Sequence, residues 1–553
     1  MKEKERGRGT IARRTSIKAC TRLQFVCFLC TFSLCASTWI ISFNIIEKDE
    51  WIENRTETTF QHWIDSYLEK ASTIMNDLNY SLPNTSDENI RENKDFCNIM
   101  VNWVWEEIIP FRYNAKFREV LLSHRKRHMD VFSGNPQIGQ KYIIWSLSGG
   151  LGNRIQSLVS IVIAALLSKR VILMKDWFTP LRSSKAPPIR PTLLPFVNSG
   201  NKTEAYRYEN LRELFWFSNG ESSPRVPNEF MFCGLFPMMS LKEFEEIYPN
   251  EFRIHGNSKE VELYKDGHVK IDIRARHDKK LNLWKHFACV DSESHEIDFF
   301  SKQKFIYIWT NQYFLPLFYV NKRTQKIISN WFSTNPFRSI LPLIFLPSRP
   351  VMFRVLRTLT LNPLLKKRKF VGMHIRSFRR NHLSHLIKSF SYCVDRLIDK
   401  SHSVQNFFLA TMHSTVKKYF NHLPLENKAK FFTLESTRNV DEQSTGQGSV
   451  REWEAMTDVV LLSLSKHLFL SPSSTFGFLA AAAGEIESIT IVNTRDSFTN
   501  LKKDTCSILD GNIVGEPCFA SWFRLDSIWH RRNQIGCEMD EMPAWSLNCG
   551  TNR

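Results

Sequence analysis

A short apolar run near residue 370 ends on an arginine. Residues 371–376 read VGMHIR, a pattern that predicts a β-strand with Arg376 at its carboxyl end. An arginine that leaves a parallel strand at this point can bind a diphosphate through two parallel hydrogen bonds. We therefore predict that Arg376 binds an anion, whereas Arg379 and Arg380 belong to a solvated basic loop. His374 is either a ligand-binding side chain or a packed core histidine.

Small hydroxyl residues form a second candidate site. Residues 471–477 read SPSSTFG and connect a predicted strand to a predicted helix. Because the free N–H groups at a helix start bind phosphate, Ser473, Ser474 and Thr475 are candidate anion ligands. Each of them could equally be the N-cap of that helix. Asp458, inside the apolar helix predicted just upstream, is interpreted either as a ligand for a ribose or a base or as half of a buried ion pair.

A glycine-rich turn, GGLGNR at residues 149–154, lies between an apolar run and a helical pattern. Ile155 occupies the position at which G-x-G-x-x-G requires its third glycine, and no G-K-[ST] follows. The turn therefore argues against a dinucleotide-dependent oxidoreductase and a P-loop ATPase. A purely structural turn is one interpretation. The other is an anion site formed by Gly150, Gly152, Asn153 and Arg154, at the positive end of the helix dipole.

Strand and helix patterns alternate around these three groups, in residues 142–174 and again in residues 370–492. They predict strands at residues 142–147 and 467–470 and a helix at residues 478–483, and a further helix is predicted at residues 316–332. Such alternation predicts parallel sheets with ligands at the carboxyl ends of the strands. With 553 residues the chain exceeds the size of a single core, so we expect two lobes. Residues 180–300 give no firm pattern.

The N-terminal region predicts a membrane anchor. The formal net charge of +18 would suggest a nucleic-acid partner if it were spread evenly, but many of the basic residues lie within residues 1–22. Residues 23–46 contain no charged side chain and are long enough to span a bilayer as a helix. Acidic residues follow this segment, so the positive-inside rule predicts a cytoplasmic N-terminus and a lumenal body. A cleaved signal peptide is the alternative.

Glycosylation acceptor triplets and cysteines agree with a lumenal body. The triplets begin at Asn54, Asn79, Asn84 and Asn201. Eight of the 12 cysteines follow the apolar segment, and no CxxC pair among these eight suggests zinc. An oxidising lumen permits disulfides. Their connectivity is left open, although disulfides among the four cysteines from residue 506 onwards could stabilise a small terminal unit.

Several motifs, in one order along the chain, are similar to those of a known family. They are SGGLGNR, TNQYFLP at residues 310–316, VGMHIR, the long segment TDVVLLSLSKHLFLSPSSTFGFLAAAAG, and EPCF at residues 516–519. Together they resemble the plant cell-wall (xyloglucan-type) fucosyltransferases or a close non-plant relative. The resemblance covers most of residues 117–553 and is poor between about 180 and 300.

This resemblance implies an α/β, GT-B-like fold with two Rossmann-like lobes and a cleft between them. It implies inverting transfer of fucose from GDP-fucose to a glycan hydroxyl, on a polysaccharide or a glycoprotein, in the Golgi lumen, with no metal or other cofactor and no nucleic-acid partner. Arg376 would neutralise the leaving diphosphate, and Asn153 and Arg154 would line the cleft near the transferred sugar. The donor would be held by Gly150, Gly152, His374, Asp458, Ser473, Ser474 and Thr475.

The predicted organisation is a cytoplasmic tail (1–22), a signal anchor (23–46), a stem (47–110), an acceptor-side lobe (111–349), a donor lobe (350–505) and a cysteine-containing C-terminal segment (506–553). One departure from the family concerns Asn311 and Gln312, which stand where the plant proteins carry Asp-Asn. The change removes a carboxylate from a plausible place for acceptor activation, and the sequence identifies no catalytic base. Two alternatives remain open: a membrane-anchored glycan-binding protein without catalysis, and a glycosyltransferase that uses another nucleotide sugar.

Overall fold

The computed structural model contains two mainly parallel β-sheets surrounded by helices. It describes residues 63–77, 86–147, 151–176, 239–241, 244, 247–249, 268–273, 303–310, 313–315, 318, 321–332, 336–367, 369–376, 383–400, 405–423, 429–434, 448–471, 474–486, 488–492 and 505–510. This architecture confirms the α/β part of the predicted fold class. Both sheets lie within one compact unit that begins at Trp63.

Helices from the segment predicted as a stem are part of this unit. They are α1 (Trp63–Asp77) and α2 (Ser86–Trp103), followed by a π-helical turn (Val104–Ile108), α3 (Ile109–Arg112) and α4 (Ala115–Phe132). Tyr67 and Phe96 are fully buried, and the Tyr67 hydroxyl donates to the carbonyl of Pro347 at 2.6 Å. A helix with buried aromatic side chains packs on the core, so the fold begins near residue 63 and not near residue 110.

The first sheet has five strands in the order β3-β2-β1-β5-β4, and every neighbouring pair is parallel. Its strands are β1 (Tyr142–Leu147), β2 (Val171–Asp176), β3 (Met239–Ser240), β4 (His268–Ile273) and β5 (Phe305–Thr310). Tyr142 in the central strand is in register with Val171 on one side and with Phe305 on the other. The carboxyl ends of these strands therefore lie along one edge of the sheet.

Helix α5 (Leu151–Leu167) connects β1 to β2 and is buried almost throughout. It carries no charged residue after Arg154, and most of its side chains from Ile155 to Leu167 are aliphatic. A helix that is apolar on all sides needs to be covered on all sides. This explains how α5 can pack on the sheet and also against one helix that precedes the second sheet and another that lies between two of its strands.

The second sheet has six strands in the order β11-β10-β9-β6-β7-β8. Its strands are β6 (Val371–Ile375), β7 (Gln405–Thr411), β8 (Ala429–Phe432), β9 (His467–Leu470), β10 (Ser488–Val492) and β11 (Cys506–Asp510). All pairs are parallel except β10 with β11, which is antiparallel. Between these strands lie helices α10 (Leu383–Lys400), α11 (Ser414–Asn421), α12 (Gly448–Ser463) and α13 (Thr475–Ala483).

Residues between the two sheets form four helices, and the sequence pattern predicted only the first of them, at residues 316–332. They are α6 (Lys322–Trp331), α7 (Pro336–Ile344), α8 (Arg349–Leu361) and the short α9 (Pro363–Lys366). Every residue of α7 is buried even though Pro342 lies inside the helix. A single apolar cluster joins α5, α7, α8, α12 and α13. The two lobes therefore share a continuous core.

A disulfide joins Cys393 in α10 to Cys506 at the start of β11, with the two Cα atoms 5.7 Å apart. The sequence had suggested that Cys506 belongs to a terminal unit stapled by the last four cysteines. This suggestion was wrong for Cys506, because its partner lies 113 residues earlier in the chain. The bond attaches the only antiparallel strand of the described second sheet to the helix that follows β6.

A buried ion pair joins α3 to the turn after α13. Arg112 Nη2 lies 2.9 Å from Glu485 Oε1, and the two side chains are 4% and 6% exposed. Arg112 also donates to the carbonyl of Arg338, and Arg338 donates to that of Ile486. Burial raises the pKa of Glu485 to about 7, and the two arginines oppose this shift.

The raised pKa predicts a stability that depends on pH. A carboxyl whose folded pKa exceeds its unfolded value stabilises the fold most below the unfolded value, and this contribution is lost as the pH rises through about 7. The wild-type free energy of unfolding should therefore fall between pH 5 and 8 by about 1–3 kcal/mol more than that of Glu485→Gln. Urea unfolding across this range measures the difference, and Glu69→Gln at an exposed site controls for the change in net charge. Identical pH profiles for wild type and Glu485→Gln would contradict the prediction.

Candidate anion site at two helix starts

The starts of α5 and α13 pack against each other. A Cβ atom built on Gly152, the second residue of α5, would lie 2.7 Å from Thr475 Oγ1 and 2.8 Å from the backbone nitrogen of Phe476. Real Cβ atoms essentially never approach other atoms so closely, so only glycine fits at this position. Each helix follows the carboxyl end of a parallel strand, β1 or β9, and each helix start carries a partial positive charge. The positive ends of two helices, one following a strand of each sheet, therefore lie next to each other.

Adding one methyl group at this contact should separate the two helix starts. Because atoms of the Thr475 and Phe476 backbone oppose the new group, Gly152→Ala should destabilise the fold by about 1–3 kcal/mol. Gly139→Ala is the matched control, since no atom lies within 4 Å of its Cβ position and only its φ of +77° is unfavourable. Thermal unfolding and nucleotide binding measure both variants. Wild-type nucleotide affinity in a folded Gly152→Ala protein would show that the contact does not shape the site.

Arg376 follows directly after β6 and is half-buried. Its backbone N–H donates to Ser471 Oγ at 2.9 Å, so the residue after β6 is attached to the residue after β9. Burial lowers the pKa of the Arg376 guanidinium. An arginine nevertheless stays charged at neutral pH, because its ordinary pKa is above about 12. The structure thus places a fixed positive charge beside the strand end from which the chain enters α13.

Ser474 is the N-cap of α13 and also contacts β6. Its hydroxyl oxygen accepts from the Gly477 N–H at 3.4 Å and lies 3.0 Å from His374 Nδ1. The His374 ring stacks on Phe476 with the ring centres 4.7 Å apart. The structure therefore shows Ser474 as a helix cap and His374 as a packed residue, and together they fix the α13 start on the end of β6. Their contact with a ligand stays a prediction.

Asn153 and Arg154 differ in accessibility. Asn153 is partly exposed, and its side-chain oxygen accepts from Gln156 Nε2 at 3.4 Å. Arg154 is only 8% exposed, although the sequence had suggested that both side chains face a bound anion. A residue in the first turn of a helix covered by protein on several sides has little open surface. Asn153 is therefore the more accessible of the two for a ligand.

Asp458 lies on the face of α12 that packs on β6. A Cβ atom on Gly372 of β6 would approach Leu462 Cδ2 to 3.1 Å, and Asp458 lies one helical turn before Leu462 on the same face. Since α12 runs antiparallel to the strands, Asp458 is displaced from Leu462 towards the carboxyl end of β6. Asp458 is only 4% exposed. Its contact with a ribose or a base stays a prediction.

Comparison with known proteins identifies relatives by sequence. No protein-family model matches the chain. A probable fucosyltransferase 9 of Arabidopsis thaliana is 23% identical over 385 residues, covering 68% of this chain and 66% of that protein. A probable fucosyltransferase 7 of the same plant is 23% identical over 410 residues, covering 68% of this chain and 67% of that protein. The chain is a relative of the plant fucosyltransferases.

This relationship confirms the resemblance that the motifs predicted. The chain spans about two thirds of the length of the plant fucosyltransferases that it matches. Among solved structures, a mutant of Arabidopsis thaliana FUT1 in complex with GDP aligns with a TM-score of 0.49 at 15% identity, over 74% of this chain and 86% of that one. NodZ α-1,6-fucosyltransferase soaked with GDP-fucose aligns with a TM-score of 0.35 at 13% identity, over 67% of this chain and 99% of that one.

Some predicted features lie outside the described residues. They are the membrane segment at 23–46, the acceptor triplets at Asn54, Asn79, Asn84 and Asn201, the glycine Gly150, the hydroxyl of Ser473, the basic pair Arg379 and Arg380, and the departures at Asn311 and Gln312. Of the helices in the described part of the chain, none has the length and apolarity that a membrane crossing requires. The same residues hold no group of three or more His, Cys, Asp or Glu side chains that could bind a metal ion.

Two hydroxyl residues at strand ends were missed by sequence reasoning. Ser471 follows β9 and Thr411 ends β7, and both contact the backbone beside Arg376. Each is a hydroxyl residue directly after an apolar run, in the segments LFLS and FFLAT. This signal is present in the sequence, but its meaning depends on which strands are neighbours in the sheet.

Proposed function

We propose that this chain transfers fucose from GDP-fucose to a hydroxyl of a glycan acceptor, with inversion at the transferred carbon and without a metal ion. The observation that carries the proposal is the packing of Gly152 on Thr475, which brings two positive helix starts together. Arg376 at the end of β6 adds a full positive charge in the same region, through its link to Ser471. The similarity to probable plant fucosyltransferases supports fucose as the transferred group.

The proposed reaction depends on stabilising the leaving group. As the bond between fucose and GDP breaks, negative charge develops on the diphosphate. Fixed donors aimed at that charge lower the barrier because they need no rearrangement during the reaction. Arg376 supplies two parallel N–H donors, and the start of α13 at Thr475 supplies backbone N–H groups and a dipole. These groups would balance the negative charge of the leaving diphosphate, which a metal ion balances in other nucleotide-sugar enzymes.

The remaining predicted residues have roles in positioning the two substrates. His374 at the end of β6 and Asp458 in α12 would contact the nucleoside part of the donor. Asn153, which is partly exposed at the start of α5, would contact the transferred sugar. The acceptor hydroxyl then attacks the anomeric carbon from the face opposite GDP. A transition state with oxocarbenium character lessens the need for a base, since leaving-group stabilisation dominates.

The proposed location is the Golgi membrane, as a single-pass type II protein with a lumenal body. It is supported by the uncharged segment 23–46 between a basic tail and acidic residues. The Cys393–Cys506 disulfide supports an oxidising compartment, because cytosolic thiols stay reduced. Glycosidase treatment of the cell-expressed protein tests the proposal. A mass shift at the four acceptor triplets is expected, and an unglycosylated protein with reduced cysteines would contradict a lumenal body.

A nucleotide panel tests the proposed donor. GDP, UDP, CDP and PAPS are each added to the full-length protein in detergent, and the unfolding temperature is measured. A nucleotide at 100 times its dissociation constant stabilises the bound state by about 2.7 kcal/mol. We expect stabilisation by GDP alone. Stabilisation by UDP instead would indicate another nucleotide sugar, and no response to any nucleotide would favour a glycan-binding protein without catalysis.

Turnover and stereochemistry test the reaction itself. GDP release from GDP-fucose is measured with a panel of plant and animal glycans, with and without EDTA. We expect release that requires a glycan and is unaffected by EDTA, and NMR of the product should show an inverted anomeric centre. A product with retained configuration would contradict the single displacement that we propose.

A further inference from the structure

The peptide group between Ile375 and Arg376 is held on both sides by side-chain hydroxyls. Thr411 Oγ1 donates to the carbonyl of Ile375 at 2.8 Å, and the N–H of Arg376 donates to Ser471 Oγ at 2.9 Å. This carbonyl and this N–H belong to one planar unit. Both polar atoms of the unit are therefore occupied, by residues from the two strands that flank β6.

The hydroxyls extend the sheet beyond its regular pairing. Pairing of β6 with β9 ends at His374 and Leu470, and pairing of β6 with β7 ends at Ile375 and Thr411. Past these pairs, side chains supply the hydrogen bonds that the backbone ladder supplied before. These hydrogen bonds fix the backbone for one more residue, at the edge of the parallel sheet where ligands generally bind.

Both hydroxyls are buried and have further partners that hold them in place. Ser471 is 2% exposed, and its N–H and its hydroxyl donate to the carbonyl of His374 at 3.1 and 3.2 Å. Thr411 is 5% exposed, and its oxygen accepts from the His413 N–H at 3.2 Å. Each hydroxyl thus acts as donor and acceptor at once, and neither is free to rotate without loss of a bond.

We propose that Ser471 and Thr411 are positioning residues for Arg376. By fixing the peptide plane before Arg376, they fix the direction in which its side chain leaves the sheet. This inference rests on the proposed function, in which the Arg376 guanidinium binds the leaving diphosphate. A donor that is aimed in advance needs no reorganisation in the transition state, and a misplacement of about 1 Å can cost about 100-fold in rate.

Removal of each hydroxyl tests the positioning role. Ser471→Ala and the nearly isosteric Thr411→Val should each lower kcat with GDP-fucose by roughly 10- to 100-fold, with little change in the KM of the acceptor. Ser471→Thr and Thr411→Ser keep the hydroxyl and should recover most of the loss. Ser463→Ala is the matched control, because that buried hydroxyl only donates to Val460 in its own helix. Full activity in Ser471→Ala and Thr411→Val would overturn the proposal.

A double-mutant cycle separates positioning from a general structural effect. In an Arg376→Ala background, Ser471→Ala should change kcat by less than about twofold, because the residue through which it acts is gone. An equal loss in both backgrounds would overturn the proposal.

Amide hydrogen exchange decides the same question without turnover. The Arg376 amide should exchange faster in Ser471→Ala than in wild type, and at the wild-type rate in Ser463→Ala. An unchanged exchange rate in Ser471→Ala would overturn the proposed positioning role of Ser471. Calorimetry with GDP keeps the two proposals apart. A wild-type protein that binds no GDP would contradict the proposed function, while the exchange rates would still decide the role of Ser471.

Discussion

Arg376→Ala should lower kcat for fucosyl transfer from GDP-fucose by about 10²–10³ while the protein stays folded. Removing one fixed donor to a developing negative charge has a cost of this size in enzymes that rely on electrostatic stabilisation. Arg376 sits directly after β6, and its backbone N–H donates to Ser471 Oγ at 2.9 Å, so the residue is held at the strand end. Steady-state rates, together with circular dichroism to establish folding, measure the effect.

Two control variants sharpen this prediction. Arg376→Lys keeps the charge but loses the two parallel donors, so its kcat should lie between those of wild type and Arg376→Ala. Arg357→Ala removes an exposed arginine of α8 and should leave kcat unchanged. Wild-type turnover by a folded Arg376→Ala protein would remove this residue from the mechanism.

Loss of the Cys393–Cys506 disulfide should have the largest effect on stability. The bond closes a loop of 113 residues, and a loop of about 100 residues corresponds to about 4.7 kcal/mol of lost unfolded-state entropy in the simple chain model. Measured losses for native disulfides are about 2–5 kcal/mol. The double variant Cys393→Ser/Cys506→Ser should therefore unfold at a clearly lower temperature and urea concentration than wild type.

The same experiment distinguishes stability from function. The bond attaches α10 to β11, and β11 is separated from β6 by β10 and β9 in the sheet. GDP affinity should therefore stay within about threefold of wild type at temperatures where the variant is folded, since the sites do not share contacts. An unchanged unfolding temperature would show that the bond does not constrain the unfolded chain.

Part of the strand-helix alternation could be predicted from the sequence, because strands such as β1 and β9 are short apolar runs between clear breaks. Strands β3 and β4 were not predicted, since they lie within residues 180–300, where the sequence shows no firm pattern. Strand β1 was predicted at its observed bounds, Tyr142–Leu147, and β9 at His467–Leu470. Helix α13 was predicted from residue 478 but begins at Thr475, because the Ser474 side chain caps it three residues earlier. Capping places Thr475 in the first turn, which suits its proposed role better than a loop would.

Other features depend on tertiary structure that patterns do not encode. Helix α7 contains Pro342 and reads as an apolar run with prolines, yet it is stable because every one of its residues is buried. Pairing of Cys393 with Cys506 follows from the packing of α10 near β11, which no spacing reveals. The contacts of Ser471 and Thr411 require the strand order β9-β6-β7, which becomes visible only in the folded sheet.

Titration of the full-length protein in detergent with GDP tests the central claim most directly, because the claim is that two helix starts and Arg376 form a site for the diphosphate of GDP. The account predicts saturable binding of GDP at one site, no measurable binding of UDP or CDP at the same concentrations, and binding at least tenfold weaker in Arg376→Ala. A wild-type protein that fails to bind GDP, or an Arg376→Ala protein that binds it as tightly as wild type, would contradict the account.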